Sequence, residues 1–357
     1  MRFAINAPIN PSSFGQVSTA ILRVLHKREL GPPLFPAGGS ISLEHQNRSA
    51  EFESWIESCV KKAFLHDRKN PCLKIWHLSG SLLSFSEKQT LLTFHETDSL
   101  TDQEVNVIKN NRTLVTNKYT AEVFKSFGVD AEVVPLGFDV NSFQIINKKY
   151  FNDDRIVFNL CGKFEKRKHH KKIIQSWAKK YGNNKKYYLQ CCIYNNFFSE
   201  EENAELFKWT LENKDFFNIH FVGYIPSNKD YNDFLNSSDI IIGMSGGEGW
   251  GLPEFQSTAL GKHAIILNAH GYKEWADETN SVLVEPKGTI DSHDGKFFKQ
   301  GELFNQGNFF DWEEDDFLDA CDRAIKRCET EPINEYGIQL QRNFTYEKTL
   351  DELLDKL

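Results

Sequence analysis

Ser245-Gly-Gly-Glu-Gly-Trp-Gly-Leu-Pro-Glu-Phe-Gln256 is the stretch on which the fold turns. The apolar run Ile240-Ile241-Ile242 feeds it, and a helix-like segment ending near Leu260-Gly261 leaves it. A buried strand that passes into a helix through glycines marks the ligand edge of an open α/β sheet. Glycines there let backbone N–H groups approach a ligand, and the helix presents its positive end. The expected ligand is therefore anionic, with a phosphorylated one the best fit.

Working outward, the same alternation repeats. Apolar runs at 156–160, 187–193, 219–222, 239–242, 263–267 and 282–284 alternate with helical stretches at 170–181, 202–212, 230–237, 255–260 and 272–277. Upstream, residues 2–6 read as a strand, 7–15 as a loop that ends in Gly15, and 17–26 as a helix. Residues 31–40, rich in proline and glycine, read as a breaker, 41–44 as a short strand and 51–65 as a helix. Shorter apolar runs follow at 73–78, 91–94, 113–115 and 132–134. Such alternation predicts an α/β protein with two Rossmann-like domains and mostly parallel sheets. Residues 1–150 form the first domain and 151–340 the second, with the polar stretch 140–154 as linker. The cleft between two such domains is the default site. Residues 286–310 are long for a structureless loop and read as a hairpin or flap. Its Phe297-Phe298 and Phe309-Phe310 pairs raise the alternative of self-association.

Composition bounds the function. A chain of 357 residues with 40% hydrophobic content suits two cored domains. A net charge of -8 argues against extended nucleic-acid contact, while a local basic patch can still serve a phosphate. The N-terminal residues lack the apolar core of a signal peptide, and no run approaches the roughly 18 apolar residues of a spanning helix. Seven cysteines fit neither a disulfide framework nor a metal knuckle, which suits a cytoplasmic location. His169-His170 and His263 with His270 lack metal-ligand spacing, so no metal site is expected.

The residues for chemistry lie at strand ends. Gly162-Lys-Phe-Glu-Lys-Arg-Lys168 follows the second domain's first strand. Lysines and arginine are unfavourable at a helix start without an anion, so at least one of Lys163, Lys166, Arg167 and Lys168 reads as a phosphate ligand, the other reading being that they solvate the helix start. Glu248, between Gly247 and Gly249, either caps a helix or accepts hydrogen bonds from sugar hydroxyls. His95 ends an apolar run, where a histidine can donate to a substrate or move a proton. Gly271 permits a turn in Asn268-Ala-His-Gly-Tyr-Lys-Glu274, and Glu274 either caps the next helix or faces the ligand. Trp250 lines a pocket or packs.

With these residues in view, the chain resembles the retaining GT-B glycosyltransferases of the glycogen-synthase and sucrose-synthase group, glycosyltransferase family 4. Gly162-Lys163 looks like the family's Gly-Arg pair, with lysine keeping the charge but losing the planar fork. Lys168 falls on the second basic phosphate ligand. Glu248-Gly-Trp-Gly-Leu-Pro is similar to the start of a signature of two glutamates, the first binding the transferred sugar. The second falls on Gln256, a ribose contact here without charge. Glu254 is two positions off and is expected to point elsewhere on the helix. Thr93-Phe-His-Glu96, Thr116-Asn-Lys-Tyr-Thr120 and Val134-Pro-Leu-Gly-Phe-Asp139 resemble the family's first-domain segments. The loop ending in Gly15 has one glycine where the family often has two.

The resemblance implies transfer of a sugar from a nucleotide-sugar, UDP- or GDP-linked first, to a glycan, lipid-linked or other small acceptor, with retention. Glu248, His95, Lys163 and Lys168 would be catalytic. Gly15, Gly162, Gly247, Gly249, Trp250, Gly251, Leu252, Gln256, Gly271 and Glu274 would join the lysines in holding the donor. No metal would be required. The first domain would take the acceptor, and a C-terminal helix at 341–357 would pack back on it. Peripheral membrane contact and homo-oligomerisation stay open. The other readings are a GT-B nucleotide-sugar epimerase and a non-catalytic nucleotide- or glycan-binding protein.

Overall fold

A computed structural model describes residues 2–357 of the protein. The first sheet contains β1 (Ala4–Ile9), β2 (Leu34–Ile41), β3 (Cys72–Ile75), β4 (Gln89–Thr93), β5 (Arg112–Val115) and β6 (Glu132–Val133). Its order is β2-β1-β3-β4-β5-β6, parallel throughout. Helices α1 (Ser13–Lys27), α2 (Ala50–Lys62), α3 (Asp102–Lys109) and α4 (Lys118–Ser126) belong to it. The second sheet contains β7 (Ile156–Cys161), β8 (Tyr187–Cys192), β9 (Ile219–Phe221), β10 (Ile240–Gly243), β11 (His263–Leu267) and β12 (Val282–Val284). Its order is β12-β11-β10-β7-β8-β9, also parallel. Helices α5 (His170–Tyr181), α6 (Glu200–Thr210), α7 (Asn228–Asn236) and α8 (Leu252–Ala259) accompany it. An antiparallel pair, β13 (Thr289–Asp291) with β14 (Asn308–Phe310), precedes α9 (Glu314–Thr330), α10 (Glu335–Asn343) and α11 (Tyr346–Asp355).

The chain divides into two compact units. One comprises Met1–Ser142, Phe298–Gly307 and Gln341–Leu357, the other Phe143–Phe297 and Asn308–Leu340. In the second, Phe158, Leu160, Ile240, Ile242, Ile265 and Leu267 meet Trp177, Trp312 and Phe317 in one core. In the first, Leu91, Leu100, Val107, Ile108, Val115 and Phe124 form a core that Phe304 joins from the inserted segment. α11 carries its own tie to this unit. Phe138 N donates to Phe344 O at 2.9 Å, and Thr349 Oγ1 to Pro135 O at 2.8 Å. Gly137 has to be glycine, because a Cβ there would lie 2.1 Å from Tyr346 N.

Three local expectations need correction. The Pro/Gly stretch at 31–40 is largely strand β2, and no strand occupies 41–44 beyond Ile41. Pro36 is tolerated because β2 is an edge strand, where a missing N–H costs no ladder bond on the open side. Helix α1 begins at Ser13 rather than near residue 17, since Ser12 caps it by accepting from Gly15 N. The Phe pairs at 297–298 and 309–310 are spent within the chain. Phe298 and Phe309 are buried, and Phe297 packs edge-on against Phe197.

Candidate active site

Strands β11, β10 and β7 are neighbours in register, so the loops after their C-terminal ends emerge side by side. These loops carry 268–274, 244–251 and 162–169. They are stitched together through backbone. Gly246 N donates to Arg167 O at 2.7 Å, Gly271 N to Glu248 O at 3.1 Å, and His270 Nε2 lies 2.8 Å from Ser245 O. Gly271 is needed for this approach, since a Cβ would sit 2.6 Å from both Glu248 O and Gly249 O. Gly251, at φ +81°, turns the chain into α8, and its bare face receives the Tyr272 ring.

Within this frame lies a chain of ions, buried except at its Lys163 end. Glu165 joins Lys163 Nζ at 2.7 Å and Arg167 Nε at 2.8 Å. Arg167 reaches on to Glu248 Oε1 at 2.5 Å and donates to Gly247 O at 2.8 Å. Lys168 Nζ lies 2.6 Å from the same Glu248 oxygen and 3.8 Å from Glu254 Oε1. Gly162, at φ +106°, leaves room for this ammonium, which a Cβ would meet at 3.1 Å. Burial opposes the charge on Glu248, but Arg167 and Lys168 outweigh it and hold the carboxyl well below its usual range. Burial also opposes the charge on Lys168, which Glu248 and Glu254 more than restore. For Glu254 burial prevails and raises the carboxyl. Its Oε2 and the Tyr272 hydroxyl lie buried beside each other, and their interaction offsets part of that rise. Burial lowers His270 to about 4, so its ring is neutral at pH 7.

Lys163, Lys168, Gly162, Glu248, Gly247, Gly249, Gly251 and Gly271 thus come together on these loops. Lys163 is half-exposed and lies about 5 Å from the centroids of the Phe197 and Phe297 rings. Gln256 is buried in α8, and its side-chain amide makes no hydrogen bond among the described residues. Leu252 opens that helix half-buried. Trp250 packs against Phe255 and gives its carbonyl to Trp275 Nε1 at 2.9 Å. Glu274 ends, rather than starts, a 3-10 turn at His270–Glu274, and is half-buried. Glu254 was expected to point elsewhere; one turn into α8 it is buried against Lys168, and Gly243 makes room for it, since a Cβ there would lie 2.8 Å from Glu254 Cγ.

Two residues sit in the first unit. His95 follows β4, with Nε2 2.9 Å from Ser99 O and 3.1 Å from Thr97 Oγ1. Burial lowers its pKa, so the ring is neutral at pH 7. Gly15 lies inside the first turn of α1, its N–H taken by Ser12 Oγ and its Cα against Asn10 O.

Sequence reasoning undervalued Arg167, Glu165, Glu254 and Tyr272. The only signal was the density of opposite charges around residues 163–168, because which of them are buried is decided by neighbouring strands. Among the described residues no cluster of His, Cys, Asp and Glu is placed to hold a metal ion, and no helix is long and apolar enough to cross a membrane. The seven cysteines are free.

Comparison with known proteins agrees with this geometry. Residues 141–296 match a family model described as glycosyl transferases group 1. None of the curated proteins matches the chain. Among solved structures, sucrose-phosphate synthase from Thermosynechococcus elongatus superposes with a TM-score of 0.70 at 12% identity, covering 99% of this chain and 98% of that one. A glycosyltransferase from Rickettsia africae gives 0.69 at 13% identity, covering 99% and 97%. Anabaena HepE in complex with UDP-glucose gives 0.63 at 13% identity, covering 100% of each. The fold is GT-B, and the matched segment, which spans all three loops, supports glycosyl transfer.

Proposed function

We propose that this chain is a retaining glycosyltransferase that takes a hexosyl group from a nucleoside-diphosphate sugar, a UDP-sugar first. The observation that carries the proposal is the Lys168 ammonium, buried between Glu248 and Glu254 and over Gly162, beside the start of α5. Helices α5, α8 and α9 lack a side-chain cap, and of these α5 and α8 are the two that follow the site loops, whereas α1, α2, α3, α4, α6, α7 and α11 each have one. Uncapped helix starts beside cations suit a diphosphate.

In this mechanism the diphosphate takes over from Glu248 as the counter-charge of Lys168. Released from that lysine, Glu248 accepts hydrogen bonds from the sugar hydroxyls and orients the ring. Lys163 and Lys168 then neutralise the charge that grows on the departing diphosphate, commonly a large catalytic term. Gln256 offers its unengaged amide to the ribose. Attack and departure take place on one face of the sugar. Glu274 contributes a further carboxylate to the sugar. HepE, with UDP-glucose bound in the same fold, favours uridine as the base. Binding and hydrolysis of UDP-, GDP- and ADP-sugars, followed by an acceptor array, test the proposal. Turnover of none of them, or a diphosphate bound in a crystal away from Lys163 and Lys168, would overturn it.

A further inference from the structure

A second surface lies on the first unit, where the chain enters β3 and β4. The connection from β3 to β4, residues 76–88, has no crossover helix and instead exposes Leu82, Leu83 (76% exposed) and Phe85. The loop that enters β3, residues 63–71, exposes Phe64 (91%) and Leu65 (86%). Both loops run together into the N-terminal ends of β3 and β4. His66 Nε2 lies 2.9 Å from Ser86 Oγ, Glu87 N donates to Arg68 O at 2.9 Å, and Phe35 stacks on Phe85 with its edge toward His66. The ligand edge of a parallel sheet is the C-terminal one, so these side chains do not belong to a substrate site.

The exposure is built in rather than slack. Lys74, in the middle of the sheet, is buried and gives its ammonium to the carbonyls of Gly80 at 3.0 Å and Leu83 at 2.7 Å. Gln89 Nε2 holds the Ser81 carbonyl at 2.7 Å. A buried lysine without a carboxylate is costly, and here it fixes a loop whose apolar side chains face water. Adjoining apolar residues left in water mark a surface that something covers.

Charge selects the occupant. Residues 61–88 carry six Lys or Arg against two acids, in a chain of net charge -8. Lys61, Lys62, Arg68, Lys69 and Lys88 are exposed in the same two stretches as the apolar residues, against the exposed acids Asp67 and Glu87. Exposed Phe and Leu accompanied by an excess of cations match the headgroup region of an anionic bilayer, where the rings and methyls enter the acyl boundary and the amines meet phosphate. We propose that this face of the first unit docks on an anionic lipid surface. The inference stands independently of the reaction proposed above.

Co-sedimentation of the full chain with vesicles tests it, using phosphatidylcholine alone and phosphatidylcholine with an equal part of phosphatidylglycerol. The protein is expected to sediment with the anionic vesicles only, and to be released by salt. Leu82→Ser with Leu83→Ser, and separately Lys61→Glu with Lys69→Glu, are expected to lower the bound fraction by about tenfold or more with unchanged melting curves. Absence of binding to the anionic vesicles, or equal binding by both variants, would overturn the proposal. So would a wild-type dimer in light scattering that either variant converts to monomer, because the face would then belong to a second copy.

Discussion

Each unit opens with a fully buried strand followed by a turn and a helix, yet the two turns are finished in opposite ways. After β1 the turn is neutral and satisfies itself. Asn10 Oδ1 accepts from Ser12 N at 3.0 Å, and Ser12 Oγ accepts from Gly15 N at 3.3 Å. After β7 the turn carries three lysines and an arginine, ends at His169 in a left-handed conformation (φ 53°), and gives α5 no side-chain cap. The same local plan therefore yields a neutral, self-capped turn in one unit and, in the other, a cationic turn that leaves its helix start without a side-chain cap. A glycine at a strand end is a poor guide by itself; what the neighbouring side chains leave unpaired is a better one.

The contrast can be broken most severely at Arg167. Replacing it with Ala leaves Glu165 and Glu248 buried with one cation fewer, and a loss of about 3–5 kcal/mol is expected in urea unfolding. A loss below 1 kcal/mol would mean that the ion chain is solvated. Lys168→Ala is expected to lower kcat by roughly 10²–10³, about 3–4 kcal/mol, by analogy with loss of an oxyanion donor. Transfer at the wild-type rate would remove its role.

The acid response sharpens the same point. Glu248 has its folded pKa lowered from 4.5 to about 2, so its contribution to stability is complete above the unfolded value and lost as pH falls through the folded one. The stability gap between wild type and Glu248→Gln should therefore be constant above pH 5 and shrink between about pH 4.5 and 2. A gap unaffected by pH over that window would argue against the pairing. Smallest is Ser12→Ala, expected to cost about 1 kcal/mol as a lost cap. UDP-sugar affinity should not change, and a Kd shift as large as that of Lys168→Ala would erase the difference between the turns.

Much of this was legible before any coordinates. The parallel alternation and the strand-end position of Lys163, Lys168 and Glu248 follow from local pattern, because period and glycine placement are local properties. The depth of the ions was not. Arg167 in a Lys-Arg-Lys run has the appearance of a solvated residue, and only the adjacency of β7 and β10 closes Glu248 over it. Glu254 was set aside on helix spacing, which says nothing of how closely Gly243 lets that helix approach. Pro36 in β2 misled for the reverse reason, since edge status is a tertiary fact.

The interleaving of the two units along the chain also sets an order of assembly. The first unit draws on Phe298–Gly307 and Gln341–Leu357, while the second is complete at Leu340. During synthesis the unit that starts second can thus be finished first. The opening sheet must wait, with α1 uncovered, until α11 arrives to place Asp351 on Arg28. Chains stopped at residue 340 should consequently present a protected second unit and a protease-sensitive first one.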